Sequence, residues 1–132
     1  MTLVGPDGEE TTTTQTIWTV HFGVAGKFKF DYLTFWRAFY SAEAAQQELS
    51  AVTARWGIHP DSVTTWNSIA ANAGDQKEKF SLGSGVSPTG LVIDMNASTE
   101  NGVQVFQYFV DLDERRYTPE NLASIRATGD DL

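Results

Sequence analysis

The sequence predicts an α+β domain: a mainly antiparallel sheet, made of an N-terminal and a C-terminal hairpin, with two to three helices packed on one face. Three observations predict it. Apolar residues alternate at Trp18, Val20 and Phe22 and again at Phe28, Phe30 and Tyr32, on either side of the turn-forming run Gly23-Val-Ala-Gly26. After Ser41 the period changes to that of a helix. Near the C-terminus the Asn101-Gly102 pair sits between two further apolar stretches, the commonest signature of a tight hairpin.

Taken in order, residues 1–15 combine Gly, Pro, acids and the run Thr11 to Thr14 without periodicity, and read as a flexible arm. The two alternating runs from Thr16 form the first hairpin. Residues 33–40 fit either period, since Tyr32, Phe35, Trp36 and Phe39 also have helical spacing; aromatic content and the good N-cap at Ser41 favour continuation of the strand. Ala45, Leu49, Val52 and Trp56 then mark one stripe of a helix rich in Ala, Gln and Glu, ending at Gly57 with Ile58 and Pro60 just beyond. Pro60 opens a second helix over 60–72 with Val63, Trp66, Ile69 and Ala70 inward.

Gly74 to Lys79 is a polar connection, Phe80 and Leu82 suggest a short strand, and Gly83 to Gly90 reads as loop by composition. Leu91 to Met95 and Val103 to Val110 make the second hairpin, and Thr118-Pro119-Glu120 opens a last helix with Leu122 and Ile125 inward. The domain is expected over 16–127, with an acidic tail at 128–132.

The chain has 132 residues, 41% of them hydrophobic and 20% charged, enough to bury roughly two-thirds of its unfolded surface in one core. It has no cysteine, which excludes disulfides, thiolate metal sites and cysteine nucleophiles. The net charge is −8, but Asp7, Glu9, Glu10, Asp130 and Asp131 supply five of those charges, leaving −3 for residues 11–129. Basic residues come close together only at Lys27/Lys29, Lys77/Lys79 and Arg115/Arg116, too sparse to neutralise a phosphate backbone, so direct nucleic-acid binding is not expected. No segment approaches the ~20 apolar residues of a membrane span, and Met1 to Glu10 lacks the features of a secretory signal, so a cytoplasmic protein without membrane contact is expected.

Each chemical motif has a plainer reading beside it. Gly23-Val-Ala-Gly26-Lys27 lacks the spacing, the Ser or Thr, and the following helix of a phosphate loop, and reads as a hairpin turn. His21 and His59 are the only histidines, and neither has a second ligand at metal-binding spacing. Asp111 and Asp113 could share a strand face and hold a hard cation, but a charged strand end pairing with Arg115 and Arg116 explains them more simply. No catalytic residue, metal or cofactor is therefore expected.

What stands out is aromatic. Nine of the sixteen Phe, Trp and Tyr residues lie between 18 and 40, and on a strand Phe35/Phe39 and Trp36/Tyr40 face opposite ways. Val105 and Phe109 likewise oppose Phe106, Tyr108 and Val110. Both faces of the sheet thus need cover, and aromatic residues dominate binding hot spots. The leading expectation is a non-enzymatic interaction or assembly module, self-associating or holding a protein partner through Trp36, Tyr40, Phe106 and Tyr108. One alternative is a small-molecule-binding or hydrolytic domain with an apolar pocket and His21 or Asp94 as its polar group. Another is an acidic inhibitor that occupies a basic site on a target protein.

Overall fold

The computed structural model of the chain describes residues 2–4, 6, 8–12, 17–22 and 30–132, with backbone alone at 11, 12, 17–22, 30 and 31. Strands β1 (Thr2–Val4) and β2 (Glu10–Thr12) pair as a small antiparallel hairpin. The remaining strands form one antiparallel sheet in the order β3-β4-β7-β6-β5: β3 (Ile17–Phe22), β4 (Phe30–Phe39), β5 (Glu78–Val86), β6 (Val92–Glu100) and β7 (Val103–Asp111). Helices α1 (Ala42–Trp56) and α2 (Pro60–Ala73) lie between β4 and β5 in the chain; a 3-10 turn (Glu114–Arg116) and α3 (Pro119–Thr128) follow β7. The fold is α+β, an antiparallel sheet with helices packed against it.

The helices start and stop where their caps dictate. Ser41 Oγ accepts a hydrogen bond from Ala44 N at 3.1 Å, and Gly57, in the left-handed region at φ 74°, closes α1 with its N–H on the Thr53 carbonyl. Pro60 stands in the first turn of α2, and Thr118 caps α3 through Asn121 N. At the β6–β7 connection Asn101 and Gly102 both have positive φ, 51° and 77°, as a type I′ turn requires.

The core lies between the sheet and α1/α2. Ala45, Leu49, Val52 and Trp56 from α1, with Trp66 from α2, are buried against Phe35, Met95, Phe106, Tyr108 and Val110. Phe35 stacks on Tyr108 at 4.7 Å between ring centroids, and Trp56 leans on both. Alternation along the strands sends the intervening residues to the reverse face. There α3 covers one end, packing Ile125 with Leu122 and Tyr117 over Val86 and Val92. Two helices thus share one face and the third lies against the other.

Two segments differ from the sequence expectation. Within the stretch expected to be an arm, Thr2–Val4 and Glu10–Thr12 pair as strands, and Leu3 joins the core. Gly83 to Val86, read as loop from their Gly and Ser content, belong to β5. The register shift between Ser81 and Gly83 and the close approach of α1 explain the small residues there. Residues 33–40 continue the strand through Phe39, as expected. The expected turn at 23–26 lies outside the described residues.

Candidate functional site

The four expected contact residues do not share a face. β4 pairs with β7 so that Trp36 opposes Gln107, Phe35 opposes Tyr108 and Arg37 opposes Phe106. Even-numbered residues of β4 therefore align with odd-numbered residues of β7. Phe106 and Tyr108 are fully buried beneath the helices, whereas Trp36 is half-buried on the reverse face and Tyr40, just past the end of β4, is 82% exposed. Phe106 and Tyr108 are corrected to core residues. The error came from a register between strands distant in sequence, which alternation within each strand cannot supply.

Tyr108 has a polar role within that core. Its hydroxyl donates to Glu48 Oε1 at 3.0 Å, while Arg37 pairs with Glu48 Oε2 and Arg55 lies 3.6 Å from Oε1. Burial, reinforced by the neighbouring Glu48 carboxylate, pushes the Tyr108 pKa far above the usual tyrosine range, so this phenol stays protonated. The network is a satisfied internal brace, with Glu48 bonded through both oxygens.

On the reverse face Arg116 forms a second brace. Its guanidinium donates to Asp94 (2.7 and 3.1 Å), Asp111 (2.6 Å), Asp131 (3.0 and 2.9 Å) and Ser84 Oγ (3.1 Å). Burial lowers its pKa, and the bonds from Asp94, Asp131 and Asp111 outweigh that and hold it above the ordinary arginine value. Asp131 is likewise opposed by burial but brought below its ordinary value by Arg116 and Asn121. Tyr117 links the strands, donating to the Asp111 carbonyl at 2.5 Å and accepting from Val92 N at 3.0 Å. Burial raises the Tyr117 pKa, and its hydroxyl too remains protonated.

The Arg116 brace engages two of the carboxylates singled out in the sequence, Asp94 and Asp111. Asp111 is committed to Arg116, and Asp113 caps the 3-10 turn and pairs with Arg115 at 2.5 Å, so the strand-end reading of Asp111 and Asp113 fits their contacts. Asp94, the candidate pocket carboxylate, is bonded to Ser84 and Arg116. His59 stands at the start of α2 with Nε2 3.3 Å from the Ala127 carbonyl oxygen; His21 pairs in register with Tyr32, its side chain outside the described residues.

Beyond the Arg116 brace no described helix covers the reverse face. That face holds a cleft of about 420 Å³ lined by two transverse rows of side chains. The register places Trp36, Gln107, Asn96 and Ser81 in one row across β4, β7, β6 and β5, and Val105, Ser98 and Lys79 in the next across β7, β6 and β5. Of the described residues lining the cleft, Lys79 alone carries a full charge. Gln107 and Asn96 stand directly opposite each other, and their carboxamides have no hydrogen-bond partner among the described residues. These polar groups were missed by the sequence reading. Their signal was present in the alternation of Asp94, Asn96 and Ser98, and the Asn101-Gly102 turn fixes the pairing of Asn96 with Gln107.

Lys79 and Ser98 stand opposite each other in this lining, and among the described residues no cluster of His, Asp or Glu is arranged to hold a metal ion. None of the helices among them is long and apolar enough to cross a membrane. Comparison of the chain with protein-family models, with curated proteins and with solved structures yields no match.

Proposed function

We propose that this protein is a non-enzymatic interaction module whose reverse sheet face receives a segment of a partner polypeptide. The observation that carries the reading is the cleft on that face, with Trp36 half-buried on its wall and Tyr40 exposed at the strand end. Aromatic residues beside a polar floor suit protein recognition. A partner segment fits better than a second copy, because two concave faces leave a void between them and two chains of net charge −8 repel. A second reading, a small polar ligand, draws support from the cleft volume, which falls in the range of small-molecule sites.

The test is selection of a random dodecapeptide library on the folded chain, with sedimentation of the chain alone and a screen of small polar compounds. Enriched peptides that lose at least about tenfold in affinity on Trp36→Ala support the module. Absence of enrichment, or peptide binding indifferent to Trp36 and Tyr40, overturns it. Small-compound binding in place of peptides transfers the cleft to the second reading, and concentration-dependent dimers abolished by Trp36→Ala transfer it to self-association.

A further inference from the structure

Resting on that reading, we infer that the cleft grips the main chain of an extended partner segment through the carboxamides of Gln107 and Asn96, with Trp36 holding an apolar side chain and Lys79 an acidic one. A peptide group offers one donor and one acceptor. A primary carboxamide offers the matching pair, its NH₂ donating to the peptide carbonyl and its oxygen accepting from the peptide N–H. The two carboxamides are adjacent across β6 and β7, the central strands of the four that form the cleft. With no partner among the described residues, their hydrogen-bonding capacity is available to a ligand without breaking an internal bond.

The dimensions agree. Three strand spacings separate β4 from β5, about 14 Å, which an extended chain crosses with about four residues. A segment laid across the strands meets Trp36 at one side, the two carboxamides in the middle, and Ser81 with Lys79 at the other. The charge pattern adds direction. The described lining contains no carboxylate although the whole chain is strongly acidic, so an acidic residue of the partner is tolerated at this cleft and attracted at its Lys79 side. A polynucleotide does not fit that pattern, since one ammonium cannot offset repulsion of a phosphate chain by a protein of charge −8.

The experiment takes a peptide enriched on the folded chain and compares an N-methyl scan with an alanine scan of the same peptide. N-methylation removes the main-chain donor while leaving the side chain in place. The expected result is a loss of about tenfold or more on N-methylation at one or two central positions where alanine is tolerated. Asn96→Leu with Gln107→Leu should produce the same loss and make the variant insensitive to N-methylation, and Lys79→Glu should weaken a peptide with an acidic residue at one end. Circular dichroism establishes that each variant is folded. If N-methylation is tolerated and side chains alone carry the affinity, main-chain recognition is wrong although the interaction module stands. If no peptide is enriched at all, the module itself fails. Binding of a neutral oligosaccharide in place of peptides overturns both.

Discussion

Gly57 and Gly85 meet backbone to backbone where α1 ends against β5. A Cβ on Gly85 would overlap the Trp56 carbonyl oxygen and stand 2.5 Å from the Gly57 carbonyl carbon; one on Gly57 would overlap the Val86 carbonyl oxygen and stand 2.8 Å from Val86 N. The atoms in the way are all main chain and cannot rotate aside. Gly85→Ala should therefore destabilise by about 2 kcal/mol or more, at or above the usual cost of overpacking. Gly102→Ala, where a Cβ meets open space but φ is positive, should cost about 1 kcal/mol. Urea unfolding of both variants checks the ranking, and equal midpoints would refute it.

The Glu48 brace separates a lost bond from an orphaned charge. Tyr108→Phe removes one hydrogen bond and leaves Glu48 on Arg37, an expected loss of about 1 kcal/mol. Glu48→Ala strands the buried Tyr108 hydroxyl and deprives Arg37 of its carboxylate, and should cost about 3 kcal/mol. The measurement is equilibrium denaturation at neutral pH; a smaller loss for Glu48→Ala than for Tyr108→Phe would contradict the brace.

Thr34 is buried, and its hydroxyl has no hydrogen-bond partner among the described residues. Thr34→Val replaces that hydroxyl with a methyl of similar size and should raise stability by about 1 kcal/mol. A drop in melting temperature would mean that the hydroxyl is satisfied.

Asp131 ties the C-terminal tail to Arg116 and Asn121, and its pKa lies below the ordinary carboxylate value in the folded chain. A group depressed in this way contributes stability above its unfolded pKa and loses it as pH falls through the folded one. Wild type should thus exceed Asp131→Asn at pH 7, and the gap should close as the pH drops below about 4. Because the Asp131 side chain is 45% exposed, the gap should stay under about 1 kcal/mol. Paired denaturation curves from pH 7 to pH 3 test both sign and size.

Trp36 and Tyr40 against Phe106 gives the sharpest contrast between surface and core. Tyr40→Ala should change stability by less than about 0.5 kcal/mol, while Phe106→Ala should cost about 3 to 5 kcal/mol. Trp36→Ala, half-buried, should fall between them. Thermal melts of the three variants give the order, and a large loss for Tyr40→Ala would remove it from the exposed surface.

What could be read from the sequence was local. The Ser41 cap, the Ala45-Leu49-Val52-Trp56 stripe and the Asn101-Gly102 turn each lie within a few residues of the structure they direct, and each is where the sequence placed it. The Gly83 to Val86 strand was hidden because its glycines answer to distant backbone, Gly85 to the end of α1 some thirty positions earlier and Gly83 to Gly129 after α3. The division of Trp36 from Phe106 and Tyr108 was hidden for the same reason, since the register of β4 against β7 joins residues about seventy apart. The polar row was legible in principle: the turn fixes Asn96 opposite Gln107, but aromatic abundance drew attention elsewhere.

The pairing of β4 with β7 also sets an order of events during synthesis. β4 is complete at Phe39, yet the strand that hydrogen-bonds its inner edge begins only at Val103. Throughout the intervening elongation that edge has no mate in the finished sheet, and β6 likewise waits for β7. Closing the sheet is consequently a late, long-range event, and chains interrupted before Asp111 carry two unmatched sticky borders into solution.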